Sequence, residues 1–163
     1  MKKKLNYIFA LVLSLVFWSC EKDDICAQED PNTQAVVLKF YDKTAPTKLK
    51  NPNDVIAYVD GIDLGVQLVD ATLSLPLKAD ANTTTWNLVL NANDANVANR
   101  ITDQITFNYQ VEQQYVSKAC GYKANFILNE LDGVVVTHNW ISSAEVINPN
   151  VVNPNEIHIN IYF

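Results

Sequence analysis

The chain has 163 residues, of which 48% are hydrophobic, 10% aromatic and 18% charged. That length fits one domain, and that apolar content excludes wholesale disorder. Twelve Lys+Arg against 18 Asp+Glu give a net charge of −6, so no basic stripe exists to displace counterions, and nucleic-acid binding is excluded.

The chain opens on an export signal. Lys2, Lys3 and Lys4 form a positive start, and Ile8 to Trp18 is an apolar run broken only by Ser14. Eleven residues are too few for a membrane-spanning helix, which needs about 20, but suit the apolar region of a signal peptide. Ser19-Cys20 follows directly. A small residue and then Cys at this place resembles a bacterial lipobox, with Phe17 and Trp18 where Leu and a small residue are usual. Cys20 is then the lipidated residue and 1–19 the removed signal. The alternative is an ordinary secreted protein cut near Ser19, with Cys20 in a disulfide. Cleavage takes three lysines with it, leaving nine basic residues against 18 acidic ones, net −9. Such a chain has no affinity for anionic lipid surfaces, so a membrane anchor must be covalent, by two or more acyl chains such as palmitate. Lys22-Asp23-Asp24 resembles the surface-export tag of Bacteroidota lipoproteins; the alternative is a solvated acidic linker over 20–33.

Two cysteines remain, Cys26 and Cys120. In an exported chain their simplest fate is a disulfide between positions 94 apart. Free thiols are the second option. A metal pair is the third, although His138 and His158 stand far from ligand spacing. A disulfide at Cys26 would hold the domain within six residues of the lipid, about 20 Å when extended.

From residue 34 to 163 one β-domain is expected, because the apolar pattern has period 2. Val36, Leu38 and Phe40 mark the first strand, and Asn51-Pro52-Asn53 a turn. Val55–Val59 is the second strand, ended by Asp60-Gly61. Thr72–Leu77 carries Leu73, Leu75 and Leu77 on one face. Thr85–Asn91 carries Trp86, Leu88 and Leu90. Asn91–Asn99 is an Asx-rich loop. Gln104–Gln110 alternates through Ile105, Phe107 and Tyr109, with Gln114–Lys118 as its hairpin partner. Cys120-Gly121 makes a bend before Tyr122–Leu131. Asp132-Gly133 signals a hairpin. Val134–Thr137, Ala144–Ile147 and Glu156–Phe163 follow, with His158 on the solvent face of the last. About eight to ten short strands without helical period indicate an all-β fold, an antiparallel β-sandwich of Ig-like or Greek-key type, or alternatively a small closed β-barrel. A membrane-spanning barrel is excluded by strand length.

Catalytic signatures are missing from the sequence. It holds no G-x-S-x-G elbow and no H-E-x-x-H, and its four glycines cannot build a phosphate loop. No cofactor and no metal are expected. The run from Asn91 fails as a calcium loop, with Ala95 and Thr102 at ligand positions. Asp60, Asp63 and Asp70 are the one looser acidic set, suited to weak calcium binding or to plain turn carboxylates. Trp86, Trp140 and the tyrosines offer a sugar-stacking platform or, more simply, core. The strand reaching Phe163 is a candidate for β-augmentation at a sheet edge, against an interior core strand.

Several stretches coincide at this point. Cys20-Glu21-Lys22-Asp23-Asp24-Ile25-Cys26, Phe40-Tyr41-Asp42, Ile105-Thr106-Phe107-Asn108-Tyr109 and Tyr115-Val116-Ser117-Lys118-Ala119-Cys120-Gly121-Tyr122 together resemble a Bacteroidota lipoprotein family that carries a domain of unknown function. The resemblance implies the export route and the pairing of Cys26 with Cys120, and it brings no catalytic residue. The leading expectation is a non-enzymatic, lipid-anchored outer-membrane domain that binds or supports a partner, such as an outer-membrane β-barrel protein. A glycan-binding accessory module is the alternative; a hydrolase using the Asp60–Asp70 carboxylates is the third.

Overall fold

The computed structural model describes residues 34–62 and 65–163. The strands among them are β1 (Ala35–Asp42), β2 (Ala45–Leu49), β3 (Ile56–Tyr58), β4 (Val66–Gln67), β5 (Thr72–Pro76), β6 (Thr83–Leu90), β7 (Ile101–Ser117), β8 (Gly121–Leu128), β9 (Val134–Val136), β10 (Ser143–Val146), β11 (Asn150–Val151) and β12 (Ile159–Tyr162). They form two sheets, the expected all-β sandwich. No helix among the described residues is long and apolar enough to cross a membrane.

The first sheet is built around β1. Val36, Leu38 and Phe40 are fully buried, as the alternation requires. One edge of β1 takes β12 in parallel, with Leu38 opposite Ile159 and Phe40 opposite Ile161. Strand β10 continues the sheet beyond β12. The other edge is shared between β5, along Ala35–Lys39, and β2, at Tyr41 and Asp42. The β1–β12 pairing departs from the antiparallel expectation. A parallel pair needs a long crossover, and the whole of β2 to β11 supplies it.

The second sheet runs β11-β8-β7-β6-β3-β4, with β9 also on β7. Its inner face carries Trp86, Leu88, Ile105, Phe107, Tyr109, Phe126 and Leu128, all buried. They pack with Phe40, Leu73, Leu75, Ile159 and Ile161 of the first sheet into one core. Each fully buried large side chain contributes about 1.5–3 kcal/mol.

Two elements differ from the sequence expectation, and a third settles an alternative. Residues 104–110 and 114–118 are not two hairpin strands but parts of the single 17-residue β7. Val111-Glu112-Gln113 between them contains no Gly, Pro, Asn or Asp, so nothing turns the chain there. The Asp132-Gly133 turn does not join a hairpin either. Strands β8 and β9 lie end to end along one edge of β7, and 129–133 loops out between them. A Cβ at Gly133 would run into the Asn129 carbonyl, so only glycine fits. Finally, β12 sits between β1 and β10. It is the interior core strand, and the alternative of β-augmentation has no free edge there.

Candidate functional site

The buried polar groups come first, since reactive chemistry would draw on them. Asp103, on β7, has no exposed surface. Its Oδ1 accepts from Thr137 Oγ1 at 2.6 Å and from the Asn139 N–H at 2.6 Å. Its Oδ2 accepts from the N–H groups of Trp140 and Ile141, each at 2.7 Å. Burial pushes this carboxyl upward, but the donors from Asn139, Ile141, Thr137 and Trp140 outweigh it and hold the group below the ordinary carboxylate value. The carboxylate thus acts as an internal anion that folds the 137–141 turn around itself. Within that turn His138 takes φ +60, and its Nδ1–H donates to the Ile141 carbonyl at 3.2 Å.

A second network closes the turn before β6. The Lys78 N–H donates to Thr84 Oγ1 at 3.0 Å, and Tyr109 Oη donates to the Lys78 carbonyl at 2.8 Å. The 2.6 Å bond between Thr84 and Tyr109 must then run from the Thr84 hydroxyl to the phenol, because each group has one proton. Burial raises the Tyr109 phenol above its ordinary value.

His158 corrects the expected solvent-face reading, for it is fully buried. Its backbone N–H donates to the Val37 carbonyl at 2.9 Å. Its Nδ1 accepts from the Val37 N–H at 3.0 Å, so the ring is neutral with its proton on Nε2. That Nε2–H closes no full hydrogen bond among the described residues, although the Asn150 backbone stands near enough to act on it. Burial pulls the imidazole below its ordinary value, against smaller upward pulls from Glu156 and the Asn150 backbone.

The tryptophans follow the core reading and not the platform one. Trp86 is 7% exposed and its Nε1–H donates to the Pro76 carbonyl. Trp140 stacks on Phe40 and donates to the Leu88 carbonyl. Neither stands exposed on the surface as a sugar-stacking platform would. The exposed pair is Tyr115 and Tyr122, 54% and 63% exposed. They sit opposite each other on β7 and β8 with ring centroids 5.4 Å apart, edge to face. They share the inner face with Tyr109 and Phe126, but beyond the reach of the core. The outer half of β7 and β8 is thus a two-stranded arm.

Its turn holds Cys120 beside Gly121, which takes φ +70, and the Cys120 N–H donates to Ser117 Oγ at 3.0 Å. The domain's start lies against the same arm: the Gln34 N–H donates to the Ala124 carbonyl at 3.3 Å. Cys20, Lys22, Asp23, Asp24 and Cys26 lie outside the described residues, as does Asp63. Asp60 accepts from Asn87 Nδ2 at 2.8 Å, and Asp70 occupies a turn at φ +49. The described residues hold no cluster of metal-ligating side chains.

One hollow has a markedly apolar lining. It lies between the β3–β4 and β5–β6 segments, holds about 330 Å³, and is walled by Val59, Ile62, Val66, Leu77 and Trp86 with Lys78 at its rim. Sequence periodicity had assigned Leu77 and Trp86 to core; they are core on one side and wall on the other.

Residues 51–163 match a family of unknown function, DUF6452. The chain belongs to that family. The matched region begins after β2 and includes the arm, the Asp103 turn and β12. No curated protein and no solved structure matches the chain.

Proposed function

We propose that this protein is a lipid-anchored domain of the bacterial outer membrane, acylated at Cys20, that binds or supports a partner without catalysing a reaction. Lys2–Lys4, the apolar run Ile8–Trp18 and Ser19-Cys20 support the anchor. The observation that carries the reading is the Gln34–Ala124 hydrogen bond. It fixes the start of the domain on β8, four residues from Cys120. Cys26 is eight residues before Gln34, a reach of about 27 Å, whereas Cys120 to Ala124 spans only about 13 Å of strand. The proposed Cys26–Cys120 disulfide is therefore within reach, and it ties the tether to the arm. The best-buried polar groups, Asp103, Tyr109 and His158, are engaged in holding turns and strands, which favours a binding role over catalysis.

Fractionation tests this reading. The full chain should sediment with membranes and label with a palmitate analogue, and Cys20→Ala should lose both properties. Membrane retention of an unlabelled chain would refute the anchor. Protease shaving of intact against permeabilised cells then reads the Lys22-Asp23-Asp24 tag: digestion in intact cells supports it, and protection until permeabilisation refutes it.

A further inference from the structure

We infer that the open edge of β7, Val111–Tyr115, is a self-pairing surface that docks antiparallel against the same edge of a second copy of this chain. The edge follows from the backbone. Tyr109 N–H donates to the Asn82 carbonyl on the β6 side, whereas Asn108 exchanges bonds with Gly133 and Asn129 on the β8–β9 side. Hydrogen-bonding direction alternates along an antiparallel strand, so the N–H and C=O groups of Val111, Gln113 and Tyr115 point to the β6 side. The Gln34–Ala124 bond agrees, since Ala124 stands opposite Gln113 and turns its own carbonyl away from β7.

Strand β6 starts at Thr83 opposite Asn108, so nothing among the described residues pairs with that edge beyond Tyr109. The segment also lacks the usual protection, with no Pro and a single charge, Glu112. Two-stranded ribbons are marginal alone, and a third strand stabilises them.

The segment is complementary to itself. A two-fold axis at Gln113 places Gln113 opposite its own copy, and Val111 opposite Tyr115 of the second chain. All these pairs have outward backbone groups, so each exchanges two hydrogen bonds. Val111 with Tyr115 is a favourable β-branched–aromatic pair, and Gln113 can join amides with its copy. Glu112 falls opposite Gln114, so the one charge never meets itself.

Cysteine crosslinking of the full chain, expressed with its signal, reads the register. Residues in a hydrogen-bonded pair have Cα atoms about 5.5 Å apart, within disulfide range. On mild oxidation Gln113→Cys should become mainly covalent dimer, above the baseline set by the wild-type chain with its native cysteines. Gln114→Cys should stay at baseline, because it faces residue 112, while Glu112→Cys with Gln114→Cys should dimerise. Val111→Pro added to Gln113→Cys should return the dimer to baseline, since its lost N–H serves the open edge and not the β8 ladder. Gln113→Cys remaining at baseline, crosslinking to a protein of another mass, or reacting no better than Gln114→Cys would each overturn the self-pairing.

Discussion

Asp103 and His158 are the residues on which the architecture turns most sharply. Asp103 answers four donors. Asp103→Ala strands buried N–H groups, each worth about 1–3 kcal/mol, and should cost at least about 3 kcal/mol in urea unfolding. Asp103→Asn should cost less, about 1–3 kcal/mol, because one oxygen remains an acceptor. For His158 the sign follows from its lowered value. The unfolded chain takes up a proton near pH 6.5, whereas the folded ring resists it, with Glu156 the charged group acting against that resistance. Stability should be full above about pH 6.5 and fall as pH drops from there toward the folded value. His158→Leu should remove that dependence while leaving the Val37 N–H unpaired; denaturant midpoints at pH 7 and pH 5 check both. Neither role was legible in the sequence. Asp103 stands at the margin of an alternating strand, and its partners lie more than thirty positions away. His158 occupies a polar position by alternation, yet its ring closes a parallel pairing that no local pattern encodes.

At the scale of elements, strand faces read well and strand partners read poorly. Val36, Leu38, Phe40, Leu73, Leu75, Ile105, Phe107, Ile159 and Ile161 all point inward as their spacing requires. Period 2 records a face directly. Pairing depends on contacts remote in sequence, so β7 was expected as a hairpin and β9 as a partner of β8. Two-residue strands such as β4 and β11 are too short to carry a pattern. Exposed β2 is a strand because β1 offers it an edge. Tyr122 shares β8 with the buried Phe126 and Leu128. It has their face but lies past the end of the core. Gly133→Ala should therefore cost more than about 1 kcal/mol in thermal unfolding, because the Asn129 backbone must move. Tyr115→Ala and Tyr122→Ala, on the exposed arm, should each change stability by no more than about 0.5–1 kcal/mol.

Across the whole molecule, composition and pattern together gave the all-β class, and belonging to the family extends over residues 51–163. The candidate site was legible only as its cysteines and its exposed tyrosines. The arm that gathers Cys120, Tyr115, Tyr122 and the start of the domain emerges from tertiary pairing. The proposed Cys26–Cys120 disulfide predicts two thiols that resist alkylation until reduction. Closing a loop of about 100 residues contributes up to about 4.7 kcal/mol in the chain-entropy picture, so Cys26→Ala and Cys120→Ala should destabilise the domain similarly, and the double variant no further. Unequal single losses, or thiols open to alkylation in the folded chain, would contradict that pairing.

The anchor is the central claim, and the mass of the mature N-terminal peptide tests it most directly. The account predicts a peptide that begins at Cys20 and carries the added mass of a diacylglycerol with its acyl chains. A peptide that begins at Cys20 or beyond with no added lipid, or one that retains Met1–Ser19, would contradict it.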